Sequence, residues 1–145
     1  MSQLRSLITL MRPHQWLKNV FVFAGLLFSH TWHDGVLLQR ISLAFAAFCC
    51  VSSLVYILND WRDRAVDALH PRKRHRPLAS GAVTVPAALA LAGLLGVAGG
   101  VLAHDNRLLL LLLALYVALN LANSCHLKHV PVVDVSIIAA GFMLR

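Results

Sequence analysis

Long apolar stretches separated by short polar segments dominate the chain. Five stretches are candidate membrane spans, at residues 16–30, 37–58, 83–103, 108–124 and 130–145. A helix needs roughly 20 apolar residues to cross a bilayer. The third stretch meets that standard, the second nearly does because it contains Arg40 near its start, and the others need their flanking residues. The pattern predicts an all-α fold, a multi-pass transmembrane helix bundle that forms a single domain.

The first 13 residues predict a short amphipathic helix instead of a membrane span. Their apolar side chains recur at helical spacing, with Arg5 and Arg12 off that face and Pro13 at the end of the pattern. The apolar positions are Leu4, Leu7, Ile8 and Met11. We expect this helix to lie at the membrane interface.

The composition agrees with a membrane protein. Hydrophobic residues make up 59% of the chain and charged residues 13%, whereas soluble proteins carry roughly a quarter charged residues. The net charge of +7 raises the possibility of nucleic-acid binding, but apolar runs separate the basic residues and leave no continuous basic face. We therefore expect membrane lipid as a partner and no nucleic acid. The three cysteines have no CxxC spacing and no disulfide pattern.

The basic residues are concentrated at one end of the predicted spans. The segment 59–82 contains six of them: Arg62, Arg64, Arg72, Lys73, Arg74 and Arg76. Loops rich in lysine and arginine stay in the cytoplasm. We therefore expect a plasma (inner) membrane protein whose N-terminus and motif loop 59–82 are cytoplasmic.

Small residues recur along the third predicted span. Ala92, Gly96 and Gly100 are spaced four residues apart, with Gly93 and Gly99 beside them. This spacing lets helix backbones approach closely. We expect it to provide tight packing, and we favour that interpretation over a flexible gate.

Three of the six acidic residues follow the second span. Asp60, Asp63 and Asp67 are spaced i, i+3 and i+7, which places them within roughly 60° on one helical face. Carboxylates so close repel one another unless a cation lies between them. Magnesium binds through one or two carboxylates plus water and phosphate oxygens. We therefore predict a magnesium site, in preference to a solvated helix end where Asp63 and Asp67 pair with Arg62 and Arg64.

A basic loop follows this acidic stripe, between His70 and Gly81, and Pro71 and Pro77 restrict its conformation. Arginine offers phosphate a planar fork of donors, and lysine offers a point charge. A basic cytoplasmic loop needs no substrate by itself. Its place shortly after three aligned carboxylates nevertheless favours diphosphate binding.

Together the two segments form one gapped signature. It reads Asn59-Asp60-x-x-Asp63-x-x-x-Asp67, then His70-Pro71-x-Lys73-x-x-Arg76-Pro77-x-Ala79-Ser80-Gly81. This signature resembles the first motif of the UbiA superfamily of intramembrane prenyltransferases. The resemblance implies a nine-helix bundle, of which this chain supplies four spans and the start of a fifth. It also implies that Asn59, Asp60, Asp63 and Asp67 bind Mg²⁺ and diphosphate, and that Lys73 and Arg76 contact phosphate.

Two further segments resemble the decaprenyl-phosphate phosphoribosyltransferases within that superfamily. They are Arg12-Pro13-His14-Gln15-Trp16-Leu17-Lys18-Asn19 and Leu127-Lys128-His129-Val130-Pro131-Val132-Val133-Asp134-Val135. The resemblance implies Mg²⁺-dependent transfer of 5-phosphoribose from phosphoribosyl diphosphate to decaprenyl (polyprenyl) phosphate, with added polar contacts from Lys18, Lys128 and Asp134. Asn123 departs from the tyrosine expected there. The resemblance covers about half of a family member, so we expect a C-terminally truncated domain.

Three other functions stay open. A UbiA-type prenyltransferase would move a prenyl group from prenyl diphosphate to an aromatic acceptor, and the same acidic stripe would suit it. A catalytically inactive membrane fragment would show no magnesium-dependent ligand binding. A metal transporter would use His30, His33 and Asp34, or His126 and His129, but zinc sites normally need three or four ligands.

Overall fold

The computed structural model describes residues 3–28 and 33–126, and every regular element in those ranges is a helix. The elements are α1 (Gln3–Met11), a 3₁₀ helix (Pro13–Phe23), α2 (Ala24–Phe28), α3 (Gly35–Leu69), α4 (Val85–Ala103) and α5 (Arg107–His126). The predicted all-α character is confirmed for this part of the chain.

Two of these helices, α3 and α4, are long and apolar enough to cross a membrane. Helix α3 contains the predicted span 37–58, and α4 covers the predicted span 83–103 except for its first two residues. Helix α5 covers the predicted span 108–124, but its apolar stretch is shorter. The predicted span 16–30 begins instead as a 3₁₀ helix followed by the five residues of α2. The span 130–145 lies outside the described residues, so the number of spans stays a prediction.

Helix α3 runs well past the predicted end of its span. Its N-cap is Asp34, whose carboxylate accepts hydrogen bonds from the backbone N–H groups of Val36 and Leu37 at 2.9 and 3.1 Å. It ends at Leu69, just before His70, which precedes Pro71 and is thereby disfavoured from helical geometry. Residues 59–69 of the predicted loop are therefore helical, and the acidic stripe lies on one continuous helix.

Helices α3 and α4 pack closely along a seam of small residues. A Cβ atom added at Gly99 would lie 2.7 Å from Cγ2 of Val51, and one at Gly96 would lie 2.9 Å from Cδ1 of Leu54. A Cβ at Gly100 would have no described atom within 4 Å. Tight packing is therefore confirmed at Gly96 and Gly99, whereas at Gly100 it stays a prediction.

Helix α1 is present and ends before Pro13, as predicted. Leu10 is buried against Ile57 of α3 and against the start of α4, while Leu4 and Ile8 remain exposed. One side of α1 thus packs onto the helix pair, and the other side leaves apolar side chains uncovered by the described residues. A place at the membrane interface remains a prediction for this helix.

Candidate functional site

The C-terminal end of α3 carries two buried carboxylates. Asp60 and Asp67 are only 4% and 2% exposed. They lie on the same face of α3 because seven residues make almost two full helical turns. Carboxylates are rarely so buried unless they are paired. The side chains around them therefore decide what this helix end can do.

One guanidinium nitrogen bridges the two carboxylates. Nη1 of Arg76 donates to Oδ1 of Asp60 at 3.0 Å and to Oδ2 of Asp67 at 2.6 Å. Nζ of Lys73 lies 3.8 Å from Oδ1 of Asp67. The basic loop thus folds back onto the acidic stripe and joins four of the residues predicted from the sequence.

The loop holds this position because its end is anchored in the core. Leu78 and Val83 are both buried in the cluster that α1, α3 and α4 share. The backbone N–H of Val83 donates to the carbonyl of Pro77 at 3.0 Å, and Gly81 turns the chain with a φ of 75°, a conformation that glycine adopts without steric cost. The anchored turn places Arg76 against α3.

Arg12 supplies a third cation from the N-terminal part of the chain. Its Nη2 donates to Oδ1 of Asp60 at 2.6 Å, and its guanidinium carbon lies 5.2 Å from the centre of the Tyr56 ring. We call Arg12, Asp60, Asp67, Lys73 and Arg76 the ion-pair cluster. Its three cations and two carboxylates leave one positive charge in excess. Such a cluster can attract and bind an anion.

Sequence reasoning did not single out Arg12 as a site residue. The available signal was its place in the segment 12–19, which resembles the phosphoribosyltransferases. Its partner Asp60 is 48 residues away along the chain, so local spacing gave no indication of the contact.

The other predicted site residues fall into three groups. Asn59 and Asp63 are half-buried at the same end of α3. Lys18 is exposed on the 3₁₀ helix, and none of the ion pairs within residues 3–28 and 33–126 includes it. Lys128 and Asp134 lie outside the described residues.

The carboxylate pair provides oxygen donors of the type magnesium prefers. Asp60 and Asp67 each direct one oxygen at the same Arg76 nitrogen. Magnesium is commonly held by one or two protein carboxylates, with water and substrate phosphate completing its shell. The described part of the chain contains no group of three or more His, Cys, Asp or Glu side chains that could hold a metal ion. Two carboxylates fit magnesium, and the three-carboxylate site of Asp60, Asp63 and Asp67 stays a prediction.

The described part of the structure does not support the metal-transporter alternative, which would use histidine ligands. The carboxylate of Asp34 caps α3, and His33 is exposed beside it. His30 and His129 lie outside the described residues, as does the side chain of His126.

Comparison with known proteins gives consistent matches. The UbiA prenyltransferase family matches residues 19–145. The chain is 39% identical over 146 residues to a decaprenyl-phosphate phosphoribosyltransferase of Mycolicibacterium smegmatis, which covers 96% of this chain and 45% of that protein. The same-named protein of Corynebacterium glutamicum is 38% identical, over 96% of this chain and 43% of its own length. Nodulation protein NoeC of Azorhizobium caulinodans is 37% identical, over 92% of this chain and 44% of its own length.

These matches confirm the resemblance drawn from the two motifs, although the chain spans less than half the length of these relatives. The family match includes both the acidic stripe and the basic loop. Together with the two long apolar helices, it indicates a membrane protein. The chain belongs to the UbiA prenyltransferase family.

Proposed function

We propose that this protein is an integral-membrane, magnesium-dependent transferase that moves 5-phosphoribose from phosphoribosyl diphosphate to decaprenyl (polyprenyl) phosphate. The observation that carries the proposal is the ion-pair cluster, where Arg76 and Lys73 of the basic loop meet the buried Asp60 and Asp67. The names of the two phosphoribosyltransferase relatives support this choice of substrates.

The proposed reaction brings two phosphorylated substrates together. The bond between C1 of the ribose and a diphosphate oxygen breaks, and a bond forms between C1 and an oxygen of the lipid phosphate. Diphosphate leaves with the electron pair of the broken bond. Because negative charge lies on both sides of the reacting carbon, the site needs positive charge, which the three cations of the ion-pair cluster and a bound Mg²⁺ would supply.

The side chains of the cluster divide into anion holders and cation holders. The guanidinium of Arg76 has five N–H donors in a plane and contacts both carboxylates through Nη1. Arg76 and Lys73 would bind the diphosphate oxygens. Asp60 and Asp67 would hold Mg²⁺, with Asn59 and Asp63 beside them. The bound ion would neutralise charge on the leaving diphosphate.

The position of the cluster suits a water-soluble donor and a membrane-bound acceptor. The cluster forms where α3 leaves its apolar stretch and the basic loop begins. Under the positive-inside rule this end of α3 faces the cytoplasm of the plasma membrane. Phosphoribosyl diphosphate would then enter from the cytoplasm, while the tail of the polyprenyl phosphate stays among lipids.

A UbiA-type prenyltransferase is the second candidate, because the description of the matched family favours it. Its prenyl diphosphate substrate would present the same diphosphate to Arg76 and Lys73. The two reactions differ in the group that is transferred, so product analysis separates them.

The test is a transfer assay with the natural protein in lipid nanodiscs. Labelled phosphoribosyl diphosphate is offered with decaprenyl phosphate, and in parallel labelled geranyl diphosphate is offered with a phenolic acid. We expect label in the lipid fraction of the first reaction with Mg²⁺, and none in EDTA. Label in a prenylated phenolic acid alone would favour the second candidate, and no product in either reaction would support an inactive membrane protein.

A further inference from the structure

Arg12 adopts a backbone conformation that is uncommon for a residue with a side chain. Its φ and ψ of 53° and 59° lie in the left-handed region, and it is the one non-glycine residue with positive φ among residues 3–28 and 33–126. This conformation is sterically costly and persists where the surrounding structure imposes it, often at functional sites. The contacts around Arg12 show how it is imposed.

Hydrogen bonds to α3 hold the chain on both sides of Arg12, through the backbone carbonyl of Met11 before it and the side chain of Trp16 after it. The hydroxyl of Ser53 donates to the carbonyl of Met11 at 2.9 Å, and Nε1 of Trp16 donates to the same hydroxyl at 2.9 Å. Ser53 is fully buried. It also precedes Asp60 by seven residues, so both lie on one face of α3. The same helix face therefore fixes the turn and receives its guanidinium.

The guanidinium of Arg12 lies where a cation is already present. Oδ1 of Asp60 accepts from Arg12 at 2.6 Å and from Nη1 of Arg76 at 3.0 Å. Arg76 also pairs with Asp67, so the three cations of the cluster together exceed its two carboxylates by one positive charge, which remains available to another anion. Arg12 is 23% exposed, which leaves part of its side chain accessible to a ligand.

The surroundings of Arg12 differ from those of Arg76. Exposed apolar side chains lie on both sides of Arg12 in the chain: Leu4 and Ile8 on α1, then Leu17 and Phe21 on the 3₁₀ helix. Arg76 instead belongs to a loop with exposed Arg72 and Arg74. A cation flanked along the chain by exposed apolar side chains matches a lipid, whose phosphate needs the charge and whose chain needs the apolar side chains.

We infer that Arg12 binds the phosphate group of the lipid substrate, while Arg76 and Lys73 serve the diphosphate of the soluble one. This assignment rests on the proposed function, since it takes a polyprenyl phosphate as one of the two substrates. Asp60, shared by both arginines, would then place the two phosphorylated groups side by side. Each anion would then have a separate binding segment: the N-terminal turn would bind the lipid phosphate, and the basic loop would bind the diphosphate.

The test measures the affinity for each anion separately. Farnesyl phosphate and inorganic diphosphate with Mg²⁺ are titrated into the natural protein in nanodiscs of zwitterionic lipid, by calorimetry. A hydrogen bond to a charged group contributes enough that Arg12→Gln should weaken farnesyl phosphate binding about tenfold or more. We expect its diphosphate affinity to stay within about twofold. Arg76→Gln should show the opposite selectivity.

Two variants control for charge and for folding. Arg5→Gln removes the same charge from exposed α1, and we expect both affinities to be unchanged. Arg12→Lys keeps the charge without the planar fork, so it should bind farnesyl phosphate better than Arg12→Gln does, and it provides the same test if the glutamine variant does not fold.

The outcomes separate this assignment from the function on which it rests. A wild-type protein that binds neither anion would contradict both. Wild-type binding of both anions, with farnesyl phosphate affinity unchanged in Arg12→Gln, would overturn the assignment alone. Equal weakening of both anions in Arg12→Gln would also overturn it, because Arg12 would then act through the fold of the cluster.

Discussion

The middle and the C-terminal end of α3 contact their neighbours in opposite ways. The middle meets α4 through small apolar residues, where a Cβ added at Gly99 would lie only 2.7 Å from Cγ2 of Val51. Its C-terminal end meets the N-terminal turn and the basic loop through ion pairs of Asp60 and Asp67. In the first region stability depends on the lack of side-chain atoms at the glycines of α4. In the second it depends on the pairing of oppositely charged side chains.

This difference predicts different responses to substitution. The α3–α4 seam should be sensitive to added volume and insensitive to charge chemistry, because close-packed surfaces respond to each methyl group. The ion-pair cluster should be sensitive to the loss of any one partner, because a buried charge without its partner costs free energy.

The largest effect is expected from Asp60→Asn. Asp60 is the carboxylate that Arg12 and Arg76 share, so its loss removes the group that positions both arginines. We expect the transfer rate to fall at least about 100-fold, the magnitude typical of losing one preorganised electrostatic group. Asp105→Asn removes a carboxylate with an 89% exposed side chain and should leave the rate unchanged. Asp63→Asn, measured in parallel, tests whether the third carboxylate of the predicted stripe belongs to the site.

The second effect concerns stability. Arg76→Gln removes the cation between Asp60 and Asp67. Breaking a fully buried ion pair costs about 3–5 kcal/mol; because Arg76 is 29% exposed, we expect a loss of about 2 kcal/mol in the free energy of unfolding. Arg74→Gln, two residues earlier and exposed, should change it by less than about 0.5 kcal/mol. Equal losses in denaturant titrations of detergent-solubilised protein would contradict a specific role for Arg76.

The third effect tests the seam with a single methyl group. Gly99→Ala should lower the free energy of unfolding by about 1–2 kcal/mol, because Val51 has only short branches with which to make room. Gly96→Ala should cost less, since the contacted atom ends the flexible side chain of Leu54. Gly100→Ala should be neutral or slightly stabilising. A larger loss at Gly100 than at Gly99 would place the seam on the wrong face.

The smallest effect concerns the hydrogen bond that joins the N-terminal turn to α3. Trp16→Phe keeps an aromatic ring but removes the 2.9 Å hydrogen bond to Ser53, while Ser53 keeps its bond to the carbonyl of Met11. We expect a loss of about 1 kcal/mol in the free energy of unfolding. A loss as large as that of Arg76→Gln would show that the turn at Arg12, not the carboxylate pair, dominates this end of the protein.

The seam shows how far sequence periodicity can predict packing. A four-residue repeat of small side chains predicts the close approach of α4, but each step of four residues rotates about 40° around an α-helix. From Ala92, Gly100 is therefore turned by about 80°, whereas Gly99 is turned by only about 20°. This rotation explains why Gly99 faces α3 and Gly100 does not.

Only part of the ion-pair cluster could be predicted from the local sequence. Asp60 and Asp67 share a helical face, and Lys73 and Arg76 follow within one gapped motif, so these four could be predicted. Arg12 could not, because its contact with Asp60 depends on how α1 packs against α3. The 3₁₀ helix over 13–23 could not be predicted either, since 3₁₀ runs longer than about four residues are uncommon.

The central claim is that the ion-pair cluster binds the phosphate groups of the substrates. Its most direct test is the affinity of the natural protein for phosphoribosyl diphosphate with Mg²⁺, compared between Arg76→Gln and Arg74→Gln by calorimetry. We predict saturable binding by the wild type, retained within about twofold in Arg74→Gln and weakened about tenfold or more in Arg76→Gln. Equal affinities in the two variants would contradict the claim, because the loop would then attract the ligand only through its total charge.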